Sequence, residues 1–108
     1  MFIFGRPKMA AATPAELQER LASGDKVTVI DVRDDWEYRE GHIPGSLHRP
    51  LGQISTWAGE FRKDQEIYLI CRSGARSASA YQYLASQGFT NLKNVTGGII
   101  AWRGPVER

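Results

Sequence analysis

Cys71 is the only cysteine in this 108-residue chain, and it opens the stretch CRSGARS at the end of an apolar run. A cysteine acts as a nucleophile through its thiolate. Helix N-termini and nearby cations lower its pKa from about 8.5 towards roughly 3.5–7.5. The sequence supplies both conditions. EIYLI reads as a buried strand and SASAYQYLASQG as a helix closed by Gly88, so the six residues Cys71 to Arg76 make a strand-to-helix turn. In such a turn successive backbone N–H groups can point inward as an anion-binding nest, and the helix adds its free N–H groups and positive dipole end. Gly74 supplies a conformation or close approach that a Cβ would obstruct. Arg72 and Arg76 are suited to attract or orient an anion, Ser73 and Ala75 fill the turn, and Ser77 starts the helix. No Asp or Glu occurs from Ile67 to Val106, so the thiol lies in the positive part of the chain. This pattern points to covalent catalysis by an activated thiolate whose anionic adducts the nest stabilises. A small inert filler at a strand end is the plainer use of a lone cysteine.

Composition excludes several other classes. One cysteine cannot make an internal disulfide, so an oxidising compartment has no support and a cytoplasmic setting is expected. The two histidines, His42 and His48, show no recognisable metal-ligand spacing with it, and no metal is expected. A net charge of +2 does not point to nucleic acid. No apolar run approaches the roughly 18–20 residues of a membrane span. The opening MFIFGRPK is too short, and has its charges on the wrong side, for a signal peptide. Residues 1–9 are read as a tail, an extra strand or an oligomer contact, and 10–108 as one domain.

The elements that must position Cys71 are legible in outline. Thr13, Pro14 and Glu16 predict a helix with an N-cap, a proline at its first position and a capping box; Leu17 and Leu21 share its inner face, and Gly24 ends it. KVTVIDV predicts a buried strand ending near Asp31. A short helix is expected around Trp36 to Arg39, before GHIPG breaks it. Leu51, Ile54, Trp57, Ala58 and Phe61 form an amphipathic pattern, NLKNV a third strand, and TGGIIAWRG a glycine turn into a short helix. Alternating strands and helices predict a parallel sheet of three to five strands with helices on both faces. In such folds ligand sites lie at the carboxyl ends of the strands, where Cys71 stands.

Three stretches in order resemble the signatures of rhodanese-like sulfurtransferases. VIDVRDDWEYREGHIPGSLH resembles the first, CRSGARSASAYQYLASQGF the central one, and NVTGGIIAWRGP the closing one. The resemblance runs from about residue 10 to 105. It implies an α/β, three-layer fold with a central parallel sheet of about five strands flanked by helices. It also implies a thiosulfate sulfurtransferase type of activity, in which Cys71 takes a sulfane sulfur from thiosulfate or a persulfide donor, becomes a persulfide, and passes the sulfur to cyanide or a thiol. No organic cofactor is implied, because the persulfide on Cys71 is the carrier. With no second cysteine to resolve it, the acceptor is an external thiol or a partner protein. Asp31 and Arg33 occupy the family's Asp-Val-Arg positions, and Arg33 is expected to pair with Glu37 beneath the site. His42 reads as a turn-stabilising residue, and Trp36, Trp57 and Trp102 as core or rim packing. Gly97 and Gly98 read as a turn that lets backbone approach the cysteine loop. His48 and Arg49 are expected near the pocket rim.

Loop length separates two chemistries on this fold. Related dual-specificity phosphatases have one more residue in the loop, whereas Cys71 to Arg76 is Cys-x4-Arg, which favours sulfur over phosphate. A phosphatase or arsenate reductase using the same thiolate is one alternative. A non-catalytic partner-binding or redox-sensing module is the other.

Overall fold

In the computed structural model, which describes residues 9–108, the first helix α1 (Pro14–Ala22) is fixed at its start by a reciprocal pair of bonds. Glu16 N–H donates to Thr13 Oγ1 at 3.0 Å, and Thr13 N–H donates to Glu16 Oε1 at 2.8 Å. Leu17 is fully buried under it, and Gly24, at φ +83°, follows the helix end. The expected tail or strand at 1–9 falls, apart from Met9, outside the described residues.

Five strands form one parallel sheet in the order β1 (Ala11–Ala12), β5 (Leu92–Val95), β4 (Ile67–Ile70), β2 (Thr28–Asp31), β3 (Leu47–His48). The three longer strands fall within KVTVIDV, EIYLI and NLKNV, the stretches that the sequence predicts as strands. β1 and β3 are two-residue edge strands inside segments that read as a helix lead-in and a turn. They are recruited by register, Ala11 opposite Asn94 and Leu47 opposite Ile30, rather than by any pattern of their own.

Period-two alternation along β4 sorts its side chains between two cores. Ile67, Leu69 and Cys71 pack with Ile30, Trp57, Ala80 and Leu84 beneath α3 (Ile54–Trp57) and α4 (Ala75–Ser86). Tyr68 and Ile70 pack with Leu17, Val29, Ile43 and Trp102 on the α1 side. Burial on both faces is what parallel strands between helix layers require. It also decides the direction of Cys71: the thiol is on the α4 face, under that helix's first turn. No helix among the described residues is long and apolar enough to cross a membrane.

Candidate active site

Cys71 follows β4 directly, and α4 begins at Ala75, two residues earlier than the sequence suggests, so the last two loop residues are already helical. Gly74 makes this possible. Its φ of +115° lies where L side chains rarely go, and it turns the chain from strand into helix. The Gly74 N–H then points back to Cys71 Sγ at 3.1 Å, and the Ser77 hydroxyl reaches the same sulfur at 3.3 Å.

The thiol is only 1% exposed. Burial pushes its pKa up; the Ser77 hydroxyl and the N–H groups of Ser77, Gly74 and Ser73 pull it down, and the donors prevail. The thiol pKa thus lies below its ordinary value through hydrogen-bond donors, and Arg76 is near enough to feel its charge. Ser77 has one hydroxyl proton for two acceptors, Sγ and the Gly74 carbonyl at 3.2 Å, and a thiolate is the stronger acceptor.

Two further segments hold the loop from behind. Ile99 N–H donates to the Cys71 carbonyl at 2.9 Å and Ile100 N–H to the Arg72 carbonyl at 3.1 Å. Gly98 lies so close that a Cβ there would meet the Arg72 and Cys71 carbonyl oxygens at 2.4 and 2.5 Å. The glycine turn is therefore part of the loop's scaffold, as the sequence suggests. The Gly74 carbonyl takes the Ala78 N–H at 3.0 Å and the Asn94 amide at 3.3 Å. Asn94 Oδ1 is buried with no partner among the described residues. Sequence reasoning does not single out Asn94. The available signal is a polar residue in NLKNV on the same face as Leu92, which points into the core.

The supporting charges are wired differently from the expectation. Arg33 does not pair with Glu37. Its guanidinium clasps Asp31, with Nε 2.9 Å from Oδ1 and Nη2 2.8 Å from Oδ2, and Nη2 also donates to the Gly41 carbonyl at 2.8 Å. Asp31 and Arg33 are both buried, and two residues along an extended segment put them on the same side. Glu37 instead forms a fork with Arg76 at 2.7 and 2.9 Å, and also accepts the Asp34 N–H at 2.9 Å. The Arg76 guanidinium is the main cause holding the Glu37 carboxyl down to about 2. Arg76 is correspondingly raised. The second loop arginine is thus committed to α2 (Asp35–Glu40), while Arg72 is exposed and enters no ion pair among the described residues.

The histidines are structural in their contacts. His42 Nδ1 lies 2.8 Å from the Tyr38 carbonyl, and its ring stacks on Tyr38 at 3.7 Å. His48 stacks on the other side at 4.6 Å, with Nε2 2.8 Å from the Arg33 carbonyl. Arg49 is tied to Glu60 at 3.0 Å. A cleft of about 280 Å³ borders the cysteine loop, and Arg33, Trp36, Glu40, Arg72, Ile99 and Val106 are among its walls. His48 and Arg49 do not line it, which corrects their expected place at the rim. Trp57 and Trp102 are core residues, whereas Trp36 is 58% exposed on the cleft wall.

A model of the rhodanese-like domain matches residues 13–105. The sulfurtransferase of Allochromatium vinosum is 42% identical over 86 residues, covering 80% of each chain. YrkF of Bacillus subtilis, whose name proposes a sulfur carrier protein, is 39% identical over 90 residues; the match takes in 83% of this chain and about half, 49%, of YrkF. The crystal structure of a rhodanese-like domain protein from Staphylococcus aureus superposes with a TM-score of 0.86 at 34% identity, covering 92% of this chain and 97% of the other. With the family's signatures, its five-stranded parallel sheet and its cysteine loop all in place, the chain belongs to the rhodanese-like domain family.

Proposed function

We propose that the protein is a sulfurtransferase in which Cys71 carries sulfur as a persulfide between an anionic donor and an external thiol, in a reducing, cytoplasmic setting. The observation that carries this reading is a buried sulfur already served by N–H and O–H donors. The thiolate attacks the outer sulfur of thiosulfate. The new bond is Cys71 Sγ–S, the S–S bond of thiosulfate breaks, and sulfite leaves with the electron pair. The terminal sulfur keeps one negative charge, which is what the donors of the Cys71–Ser77 turn are disposed to stabilise. An acceptor thiolate or cyanide then attacks that outer sulfur, and Cys71 departs as the thiolate it was. Charge and electrons balance in both halves, so no cofactor is called for. Arg72 is the residue available to draw in the donor anion, while Arg76 sets the position of the loop through Glu37. The A. vinosum and B. subtilis relatives are consistent with this assignment.

The phosphatase reading is weaker on this geometry. The carboxylate that touches the loop, Glu37, is held ionised by Arg76, and an ionised group cannot protonate a departing alcohol.

Intact-protein mass spectrometry tests the proposal. Incubation with thiosulfate or glutathione persulfide is expected to add one sulfur, about 32 Da by atomic mass, which cyanide then discharges. Cys71→Ser is expected to gain nothing. Absence of any sulfur adduct from both donors in the parent protein would overturn the reading.

A further inference from the structure

Among the described residues four large hydrophobic side chains are exposed: Trp36 (58%), Leu47 (37%), Ile100 (55%) and Val106 (57%). Two of them stand at the cysteine loop. Trp36 and Val106 are walls of the cleft that borders it, together with the half-buried Ile99. These residues come from three separate segments: α2, the glycine turn and the C-terminal stretch. Their convergence is produced by the fold and has no counterpart in a local sequence pattern. A small anion such as thiosulfate gains nothing from apolar surface. Exposed apolar groups clustered beside a reactive centre are the mark of a macromolecular contact.

The charges around the cleft narrow the occupant. Arg33 is spent on Asp31 and Glu37 on Arg76, which leaves Arg72 and Glu40. Glu40 stands on the cleft wall, with Arg39 and Arg108 beside it, Arg39 paired with Asp35 and Arg108 bonded to the Glu40 carbonyl. Arg72, next to Cys71 in the chain, enters no ion pair among the described residues. The sulfur itself is recessed, at 1% exposure, so an acceptor must present its thiol on a protruding segment.

We infer that Trp36, Ile99, Val106 and Arg72 form a docking surface for a protein acceptor whose sulfur-receiving cysteine protrudes between apolar residues and has a carboxylate nearby. The inference rests on the persulfide reading of Cys71. The acceptor thiolate attacks the outer sulfur of the Cys71 persulfide. A new S–S bond forms on the acceptor, the Sγ–S bond breaks, and Cys71 leaves as a thiolate. The acceptor is left as a persulfide, and no outside oxidant or reductant takes part. The apolar contacts hold the acceptor chain while Arg72 pairs with its carboxylate.

The experiment loads the full chain with sulfur from thiosulfate or glutathione persulfide and follows discharge to three probes. These are cyanide, a short peptide thiol with leucines beside its cysteine and aspartates beyond them, and the same peptide with lysines for aspartates. The aspartate peptide is expected to react faster than the lysine peptide, about threefold or more, with the preference lost in Arg72→Gln. Trp36→Ala combined with Val106→Ser is expected to slow discharge to the aspartate peptide by roughly tenfold, with cyanide discharge within about twofold of the parent. Circular dichroism and the cyanide rate show that the variant is folded. Equal loss for cyanide and peptide, or no loss for either, would overturn the docking surface while leaving the persulfide cycle standing. A parent protein that takes up sulfur from neither donor would sink both.

Discussion

β2 and β4 are neighbours in the sheet and end side by side, with Asp31 opposite Ile70, yet their ends are built to opposite purposes. At the end of β2 the charge is closed. Asp31 and Arg33 satisfy each other in the interior, and Nη2 of the guanidinium also donates to the Gly41 carbonyl. At the end of β4 hydrogen-bond donors converge on a buried sulfur, and among the described residues no guanidinium is hydrogen-bonded to it. A guanidinium against the sulfur would stabilise the thiolate more but would bind it as an ion pair. Donors from the backbone and a hydroxyl stabilise a negative charge on Sγ without neutralising it. One end is a structural clamp and the other a charge receptor. The identity of the donors, more than the amount of stabilisation, separates the two.

Breaking the clamp has the largest effect. Asp31→Ala strands a buried guanidinium and is expected to cost about 3–5 kcal/mol in a urea or guanidinium melt. Sulfur loading per folded molecule is expected to persist, since Asp31 does not touch Cys71. Removing a donor from the receptor does the reverse. Ser77→Ala leaves the melt nearly in place but moves the pH midpoint of iodoacetamide alkylation upward, and the rate at pH 7 falls by roughly tenfold. Gly98→Ala disturbs the receptor's backbone alone. Its Cβ would meet the Cys71 and Arg72 carbonyls, so a loss of about 1–3 kcal/mol is expected together with slower alkylation.

The smallest effect lies where α2 meets the loop. The Glu37 carboxyl is depressed to about 2 by Arg76, and a depressed carboxyl stabilises the fold above its unfolded value of about 4.3 and loses that contribution as pH falls towards its folded one. Arg76 is partly exposed, so screening limits the pair to about 1 kcal/mol. Stability of the parent is expected to fall more steeply than that of Glu37→Gln between roughly pH 4.3 and 2. Parallel slopes in acid titrations of the two would show the pair to be energetically silent.

What the sequence reveals of this arrangement follows the range of the interactions. The capping box of α1, the three longer strands and the strand–loop–helix setting of Cys71 depend on neighbours within a few residues, and all are legible. The closeness of the Gly98 turn to the loop is legible too, because two adjacent glycines before an apolar run signal a tight approach. Side-chain partners across the fold are not. The Glu37–Arg76 fork joins residues 39 apart, and nothing in either segment specifies it over the local alternative with Arg33. Asn94 escapes for the same reason: its value lies in facing the Gly74 carbonyl, 20 residues away. The edge strands β1 and β3 escape because two residues carry no periodicity.

The pairing of β1 with β5, and the bonds from Ile99 and Ile100 to the loop carbonyls, carry a consequence for how the protein is made. A chain leaving the ribosome in order exposes Cys71 well before the residues that brace its loop have been synthesised. Until about residue 100 has emerged, the loop lacks its scaffold and the sheet lacks the partner of its first strand. The donor array around Cys71 is thus completed only when the segment carrying Ile99 and Ile100 has folded onto it.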